Sequence, residues 1–362
     1  MRKIVILLLS IFISNITYSQ SSLNAPKYSN EFLNIGVGAR ALGMSNSIIN
    51  SSDDVYSGYW NPTGLCSINS DMQIGIMHSE YFAGIAKYDF AGIAKRIDST
   101  SAFSFSFIRF GVDNIPNTTE LIDAQGNINY DRISYFSATD MAFLLSYAKQ
   151  INSKLSLGAS AKIINRKVGS FANAWGFGFD LACSYESNNW KFAAVARDVT
   201  STFNAWSFQL NDEMIETFLL TGNELPQNGL ELTLPRIILG VSKLLKVDDD
   251  FSLITELNTD ITTDGMRNVL ISSSPFSIDP HIGMELNFRK IIYLRAGLGN
   301  VQTITEFSGK EVINVQPNLG LGIRIKGISL DYALADIGDV SVALYSNVFS
   351  LRFNLNPENK KK

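Results

Sequence analysis

The stretch His281-Ile282-Gly283-Met284-Glu285-Leu286-Asn287-Phe288 sorts its side chains by twos. In an extended chain Ile282, Met284, Leu286 and Phe288 fall on one face, and His281, Gly283, Glu285 and Asn287 on the other. The same period recurs on both sides of it. Leu294, Ala296 and Leu298 alternate with Tyr293, Arg295 and Gly297; Leu319, Leu321 and Ile323 alternate with Gly320, Gly322 and Arg324. Trp175, Phe177, Phe179, Leu181, Cys183 and Tyr185 alternate with Gly176, Gly178, Asp180, Ala182 and Ser184, and Phe349, Leu351, Phe353 and Leu355 with Ser350, Arg352 and Asn354. One face is continuously apolar. The other carries glycine, serine, asparagine and charges of both signs, which suits the lumen of a membrane barrel. The solvent face of a soluble sheet would carry more lysine, glutamate and threonine.

The ends and the composition agree. Arg2 and Lys3 precede an apolar run from Ile4 to Ile13, then a polar stretch ending Thr17-Tyr18-Ser19. This reads as an export signal (residues 1–19), cleaved after Ser19. Charged residues make up 18% of the chain, below the roughly 25% of soluble proteins. Yet no later apolar run reaches the ~18 residues a membrane helix needs. An exported, fairly apolar chain without long apolar runs must bury its apolar groups by alternation. The net charge of −4, with no basic cluster beyond Lys360–Lys362, excludes nucleic acid as a partner.

The expected fold class is therefore all-β: a transmembrane antiparallel β-barrel of about 14 strands over residues 72–356, in contact with outer-membrane lipid, followed by a short polar tail, 357–362. Short turns such as Asp248–Asp250 alternate with long connections at 111–135, 199–235, 262–279 and 300–315, the usual asymmetry between the two rims of such barrels. Inward positions include Asp140, Lys162, Asp180, Arg197, Glu256, Asp260, Glu285, Arg295, Arg324, Asp331 and Arg352. Gly320, also inward, is expected to tolerate alanine.

Residues 20–71 do not follow the strand pattern. They hold Gly36, Gly38, Gly43, Gly58, Gly64 and the pair Asp53-Asp54, with apolar groups from Phe32 and Leu33 to Trp60 and Leu65. So many apolar groups are too costly to leave in water. The segment is expected to fold into the lumen as a hatch or plug, with Asp53 and Asp54 meeting a lumenal cation such as Arg324 or Arg295. Pro62 fixes its backbone, Gly64 permits a bend and Asn61 can bond two residues on.

Two cysteines, Cys66 and Cys183, read as free thiols, with Cys183 on the lipid-facing parity. The two histidines, His78 and His281, have no metal-ligand spacing, and no cofactor motif is present. Neither histidine is expected to have a nucleophile beside it, so the chain reads as no enzyme.

Phe32-Leu33-Asn34-Ile35-Gly36-Val37-Gly38-Ala39-Arg40-Ala41-Leu42-Gly43-Met44, then Asp53-Asp54, then Tyr59-Trp60-Asn61-Pro62-Thr63-Gly64-Leu65 resembles the opening of the PorV/PorQ family of FadL-like outer-membrane barrels. Ser45-Asn46 stands where that family has Gly-Gly, and Thr63 where it has alanine. The resemblance implies a fourteen-stranded barrel whose hatch carries Phe32, Gly36, Ala39, Arg40, Gly43, Met44, Asp53 and Asp54, joined to the first strand by Asn61, Pro62, Gly64 and Leu65. It implies a partner-binding role in type IX protein secretion and surface attachment. The loop 199–235, with Phe203, Trp206, Phe208 and Phe218, is the candidate surface for a protein partner. The alternative it implies is a FadL-like channel for hydrophobic small molecules.

Overall fold

The computed structural model describes residues 28–118, 121, 127–305, 308–336 and 345–356; the export signal and the polar tail lie outside them. The strands are β1 (Met72–Tyr81), β2 (Ala86–Arg96), β3 (Ser101–Asn117), β4 (Ser134–Gln150), β5 (Leu155–Val168), β6 (Ala172–Ser187), β7 (Trp190–Arg197), β8 (Thr202–Phe208), β9 (Gly229–Thr233), β10 (Arg236–Lys246), β11 (Phe251–Thr262), β12 (Ser277–Phe288), β13 (Ile292–Thr305), β14 (Glu311–Ile325), β15 (Ile328–Ala335) and β16 (Ser346–Leu355). All neighbours pair antiparallel. The sheet closes where β1 meets β16, from Met72↔Leu355 to Glu80↔Asn347. Fourteen strands make the closed wall. No sheet edge is left in the ring, so every wall strand can place its backbone polar groups in hydrogen bonds, as a lipid environment demands.

The remaining two strands, β8 and β9, correct the reading of 199–235 as one loop. β6 pairs with β7 over Leu181–Ser187 and with β8 over Ala172–Phe177. β7 and β8 thus follow one line in the wall, interrupted at residues 198–201, where Asp198 and Ser201 adopt positive φ. β9 pairs with β8 and runs into β10 after Leu234-Pro235. Between β8 and β9 lies the helix Asp212–Leu220, whose N-cap Asn211 accepts from the Met214 amide. Alternation marked the lower wall clearly. It missed this hairpin because Ser207 and Gln209 break the outward face after Phe203 and Ala205, while the inward face carries the aromatic Trp206 and Phe208.

Two other connections, 111–135 and 300–315, are shorter than expected. β3 runs to Asn117 rather than 110, β13 to Thr305 rather than 299, and β14 begins at Glu311 rather than 316. These extensions carry polar groups on both faces, such as Asp113, Gln302 and Asn314, because they stand beyond the apolar belt. Sequence periodicity cannot see strands that water touches on both sides.

The outward face is the predicted one: Trp175, Phe179, Leu181, Leu294, Leu319, Leu321 and Phe349 are all exposed, while Asp180, Glu256, Glu285, Arg295 and Arg352 on the other face are buried. Cys66 and Cys183 are free thiols. Cys183 shares the outward parity of Leu181 and Tyr185. Cys66 is half-buried, its Sγ 3.5 Å from the Thr100 carbonyl oxygen, and burial pushes its thiol pKa up, which makes it a poor nucleophile at neutral pH.

Inside the wall lie residues 28–71, in short helices and turns. They fill the lumen because the wall opposite them is built from small residues. The backbone of Met44 runs directly over Gly283 and Gly297, and Gly43 packs against Gly320. A methyl group at 320 would press on the Gly43 Cα at 3.2 Å and the Arg295 Cβ at 3.1 Å. Gly320 is therefore a close-approach position, where alanine requires Gly43 or Arg295 to give by a few tenths of an ångström.

Leu321→Arg places a charge on the lipid face and should lower stability by about 2–4 kcal/mol, measured by urea titration of folding into lipid vesicles. A loss below about 1 kcal/mol would contradict the assigned face.

Candidate functional site: the latched hatch and the long-loop rim

The opening motif supplies the centre of the hatch. Gly36 and Gly38 have φ of +102° and +87°, a region side chains disfavour, and they deliver Ala39–Leu42 as a short helix. That helix projects Arg40 into the wall. Its guanidinium donates two hydrogen bonds to Glu285, both 2.8 Å, and one to Asp53 at 2.6 Å. Glu285 also accepts from Arg295 at 2.6 Å, and Arg295 donates to Asp331 at 2.7 Å. Arg352 pairs with Asp54 and donates to Ser329 at 3.0 Å. The direct partners of Asp53 and Asp54 are therefore Arg40 and Arg352, not Arg324 or Arg295. Arg324 instead stacks over Tyr293, 4.2 Å from its ring centre. The signal for Arg40 was in the sequence, since an arginine inside a glycine-rich apolar motif needs a carboxylate once buried.

A second latch uses backbone. Fully buried Glu256 accepts from the amides of Asn50 (2.8 Å) and Ser51 (3.0 Å), and Asn258 Oδ1 accepts from the amides of Ile48 (2.9 Å) and Ile49 (3.3 Å). Glu256 was legible as an inward charge. Asn258 was not singled out, because a neutral amide on the lumen face looks like any other. Further along, the Gly58 carbonyl accepts from Ser146 at 2.7 Å. Arg197 donates to the Tyr59 carbonyl at 3.2 Å and lies over the Tyr59 and Trp60 rings at 4.5 and 5.5 Å.

The Asn-Pro motif ends the hatch. Asn61 Oδ1 accepts from the Thr63 amide at 3.0 Å, and its Nδ2 donates to the Ile49 carbonyl at 2.7 Å and to Ser184 at 3.0 Å. Pro62 and Gly64 lie in the 3-10 helix Pro62–Ser67, and Leu65 there is fully buried; β1 begins five residues later at Met72. The departures from the family pattern have local explanations. Thr63 Oγ1 bonds both Asn61 and Ser184. Ser45 and Asn46 hold φ of +50° and +61°, where glycine is easiest, and the Ser45 hydroxyl accepts from Asn318. Phe32 and Met44 are buried in the same core.

The structure also places Ser47 Oγ 2.8 Å from His281 Nδ1, with Asp260 3.4 Å from His281 Nε2. This corrects the expectation that no nucleophile neighbours a histidine. Ser47 is fully buried, however, and does not line the cavity that His281 faces. The trio ties hatch to wall.

The rim site is apolar. A pocket of about 770 Å³ is lined by Phe136, Phe171, Trp206, Phe208, Met214 and Phe218. Glu231, on its lining, is bonded by Arg166 at 3.2 Å; Arg166 also bonds Asp140 at 3.0 Å and lies 5.2 Å from the Trp206 ring centre. Three of the four loop aromatics singled out from sequence meet here. Phe203 does not; on β8 it has the outward parity and is exposed.

The family model for the type IX secretion system protein PorV matches residues 14–209, more than half of the chain. The chain belongs to the PorV family. Its barrel is also similar to solved FadL-like channels. The CymD monoaromatic hydrocarbon channel superposes with a TM-score of 0.56 at 13% identity, covering 89% of this chain and 98% of that one. The P. putida toluene transporter TodX gives 0.54 at 14%, with 89% and 99% covered. The Ralstonia pickettii toluene transporter TbuX gives 0.53 at 13%, with 89% and 99% covered. At such identities the likeness is one of fold. No match is found among curated proteins. A PorV-family barrel of this fold is an outer-membrane protein.

Arg40→Met should cost about 3 kcal/mol, because buried Glu285 loses one of its two guanidinium partners and keeps only Arg295. Urea unfolding in detergent measures this; a loss under 1 kcal/mol would mean that the latch does not hold.

Proposed function

We propose that this PorV-family barrel is a non-enzymatic, closed outer-membrane component that binds a protein partner of the secretion or surface-attachment machinery through its long-loop rim. The observation that carries the reading is the division of chemistry between lumen and rim. Within the barrel the hatch is held by buried ion pairs and hydrogen bonds to the wall, through Glu285, Glu256, Arg295 and Arg352. A charged, filled lumen offers no continuous apolar path. At the rim, half-buried Trp206, Phe208 and Phe218 line an apolar, aromatic pocket able to take an anchor side chain of a protein partner, beside Arg166 and Glu231, which can orient a partner's polar groups. Short turns toward the periplasm and long loops toward the outside, the usual arrangement, set this rim on the cell surface.

The rim pocket also favours a second reading. Its volume and apolar lining fit a small hydrophobic molecule, the kind of cargo named for the channels of similar fold. Under that reading the pocket is an entry site and the hatch must move.

A mild-detergent pull-down of the tagged protein separates the two. Partner binding predicts recovery of a specific membrane or secreted protein, reduced at least about tenfold by Phe208→Glu with Phe218→Glu. Recovery of the wild type alone, with bound hydrophobic small molecule that the double substitution removes, would favour the channel reading and sink the first.

A further inference from the structure

The wall closes on itself, but the rim hairpin does not. β9 is the last strand in the sheet order. It pairs with β8, from Thr202↔Thr233 to Trp206↔Gly229, and has no second strand partner and no other backbone hydrogen bond among the described residues. β10, which follows it in the chain, begins its pairing with β11 at Arg236↔Thr262, where β11 ends. β11 therefore stops short of β9. Backbone N–H and C=O groups alternate between the two sides of a strand, so every second residue of β9 presents a donor and an acceptor along an open edge. Such an edge cannot lie in lipid, which places β9 in water above the apolar belt. Water can serve those groups, and so can another strand.

Edges of this kind are usually blunted by lysine, proline or a bulge. β9 reads Gly-Leu-Glu-Leu-Thr, paired to β8 without a register shift. Two of its side chains are apolar and open to the surface: Leu230 is 71% and Leu232 48% exposed. Charge then selects what can pair there. The segment 199–235 contains Asp212, Glu213, Glu216, Glu224 and Glu231, and no lysine, arginine or histidine. Arg166 of β5 bonds Glu231. Asp212, Glu216 and Glu224 are exposed, and Glu224 shares the rim-pocket lining with Leu230 and Glu231. A second copy of this chain would bring the same negative charge to the edge and be repelled. A basic strand is attracted by it.

We propose that β9 is a docking edge for an extended, basic segment of a partner protein. The segment adds to the hairpin as a further strand, with apolar side chains beside Leu230 and Leu232 and its cations toward the acidic residues of 212–224. This rests on the partner-binding reading of the rim and deepens it, by giving the mode of binding and the chemistry of the bound segment.

The test is titration calorimetry on the full chain in nonionic detergent, with an end-capped peptide of alternating lysine and valine as probe. One comparison peptide is the same sequence N-methylated at every backbone nitrogen, which keeps the charge but cannot pair with a strand edge. Another alternates glutamate and valine. The unmodified basic peptide binds about tenfold or more tightly than either. Leu232→Lys, at an exposed position that does not line the rim pocket, weakens it about tenfold. Equal affinity for the plain and N-methylated peptides, preference for the acidic peptide, no binding of the basic one, or undiminished binding by Leu232→Lys would each overturn the proposal. The peptide comparisons need no variant. In the pull-down, a partner lost with both Leu232→Lys and the Phe208→Glu, Phe218→Glu pair supports the edge. A partner lost only with the phenylalanine pair sinks the edge and leaves the rim reading standing. Selective binding of the basic peptide without any recovered partner would count against the rim reading alone.

Discussion

The structure depends on one constraint: an ionised side chain taken out of water must meet its counter-charge. Arg40 lies at the middle of the lumen between Asp53 of its own segment and Glu285 of the wall, and Glu285 is shared with Arg295, which passes the charge on to Asp331. The series alternates in sign along four of its members, Arg40, Glu285, Arg295 and Asp331. Removing the hatch residue at one end changes the balance of all the others. Arg352 with Asp54 repeats the arrangement alongside it. These pairs contribute specificity of placement more than net stability, since their attraction is offset by desolvation. They permit one seat for the hatch.

Steric fit makes that seat reachable. The hatch amides of residues 48–51 bond the wall side chains Glu256 and Asn258 at 2.8–3.3 Å, which requires the hatch backbone to lie close to the wall, and the wall allows it at glycines. Met44 crosses Gly283 and Gly297, and Gly43 meets Gly320. The alternation that puts Ile282, Met284 and Leu286 toward lipid is thus the same alternation that puts a glycine or a counter-charge toward the hatch. One period of two serves both the membrane and the plug.

Much of this was legible in the chain. Period-two alternation located the lower wall and its two faces, and the hatch motif, with its excess of apolar groups, pointed to a lumenal plug. Three things were not legible, for physical reasons. Strand ends wetted on both faces, such as residues 111–117, lose the apolar period. The β8–β9 hairpin is held by pairing to β6, a non-local contact without local pattern. The choice of Arg352 for Asp54 depends on distances across the lumen, which no spacing along the chain encodes. The Ser47–His281 contact, separated by more than two hundred residues, belongs to the same class. The rim pocket was half legible: Trp206, Phe208 and Phe218 meet there, but Phe203 has the opposite parity, and the pocket's other aromatics, Phe136 and Phe171, come from β4 and from the β5–β6 turn.

The functional account follows from the closed lumen. If the hatch is held by paired buried charge, the proposed role falls to the barrel's surfaces, and the rim is the proposed partner site. The most direct measurement is ionic current through single barrels in a planar lipid bilayer, comparing the intact protein with a deletion of residues 32–58. The account predicts an intact barrel that carries no steady current and a deleted one that inserts and conducts stably, its lumen being empty. Steady conductance by the intact barrel, or an unchanged trace after the deletion, would contradict it.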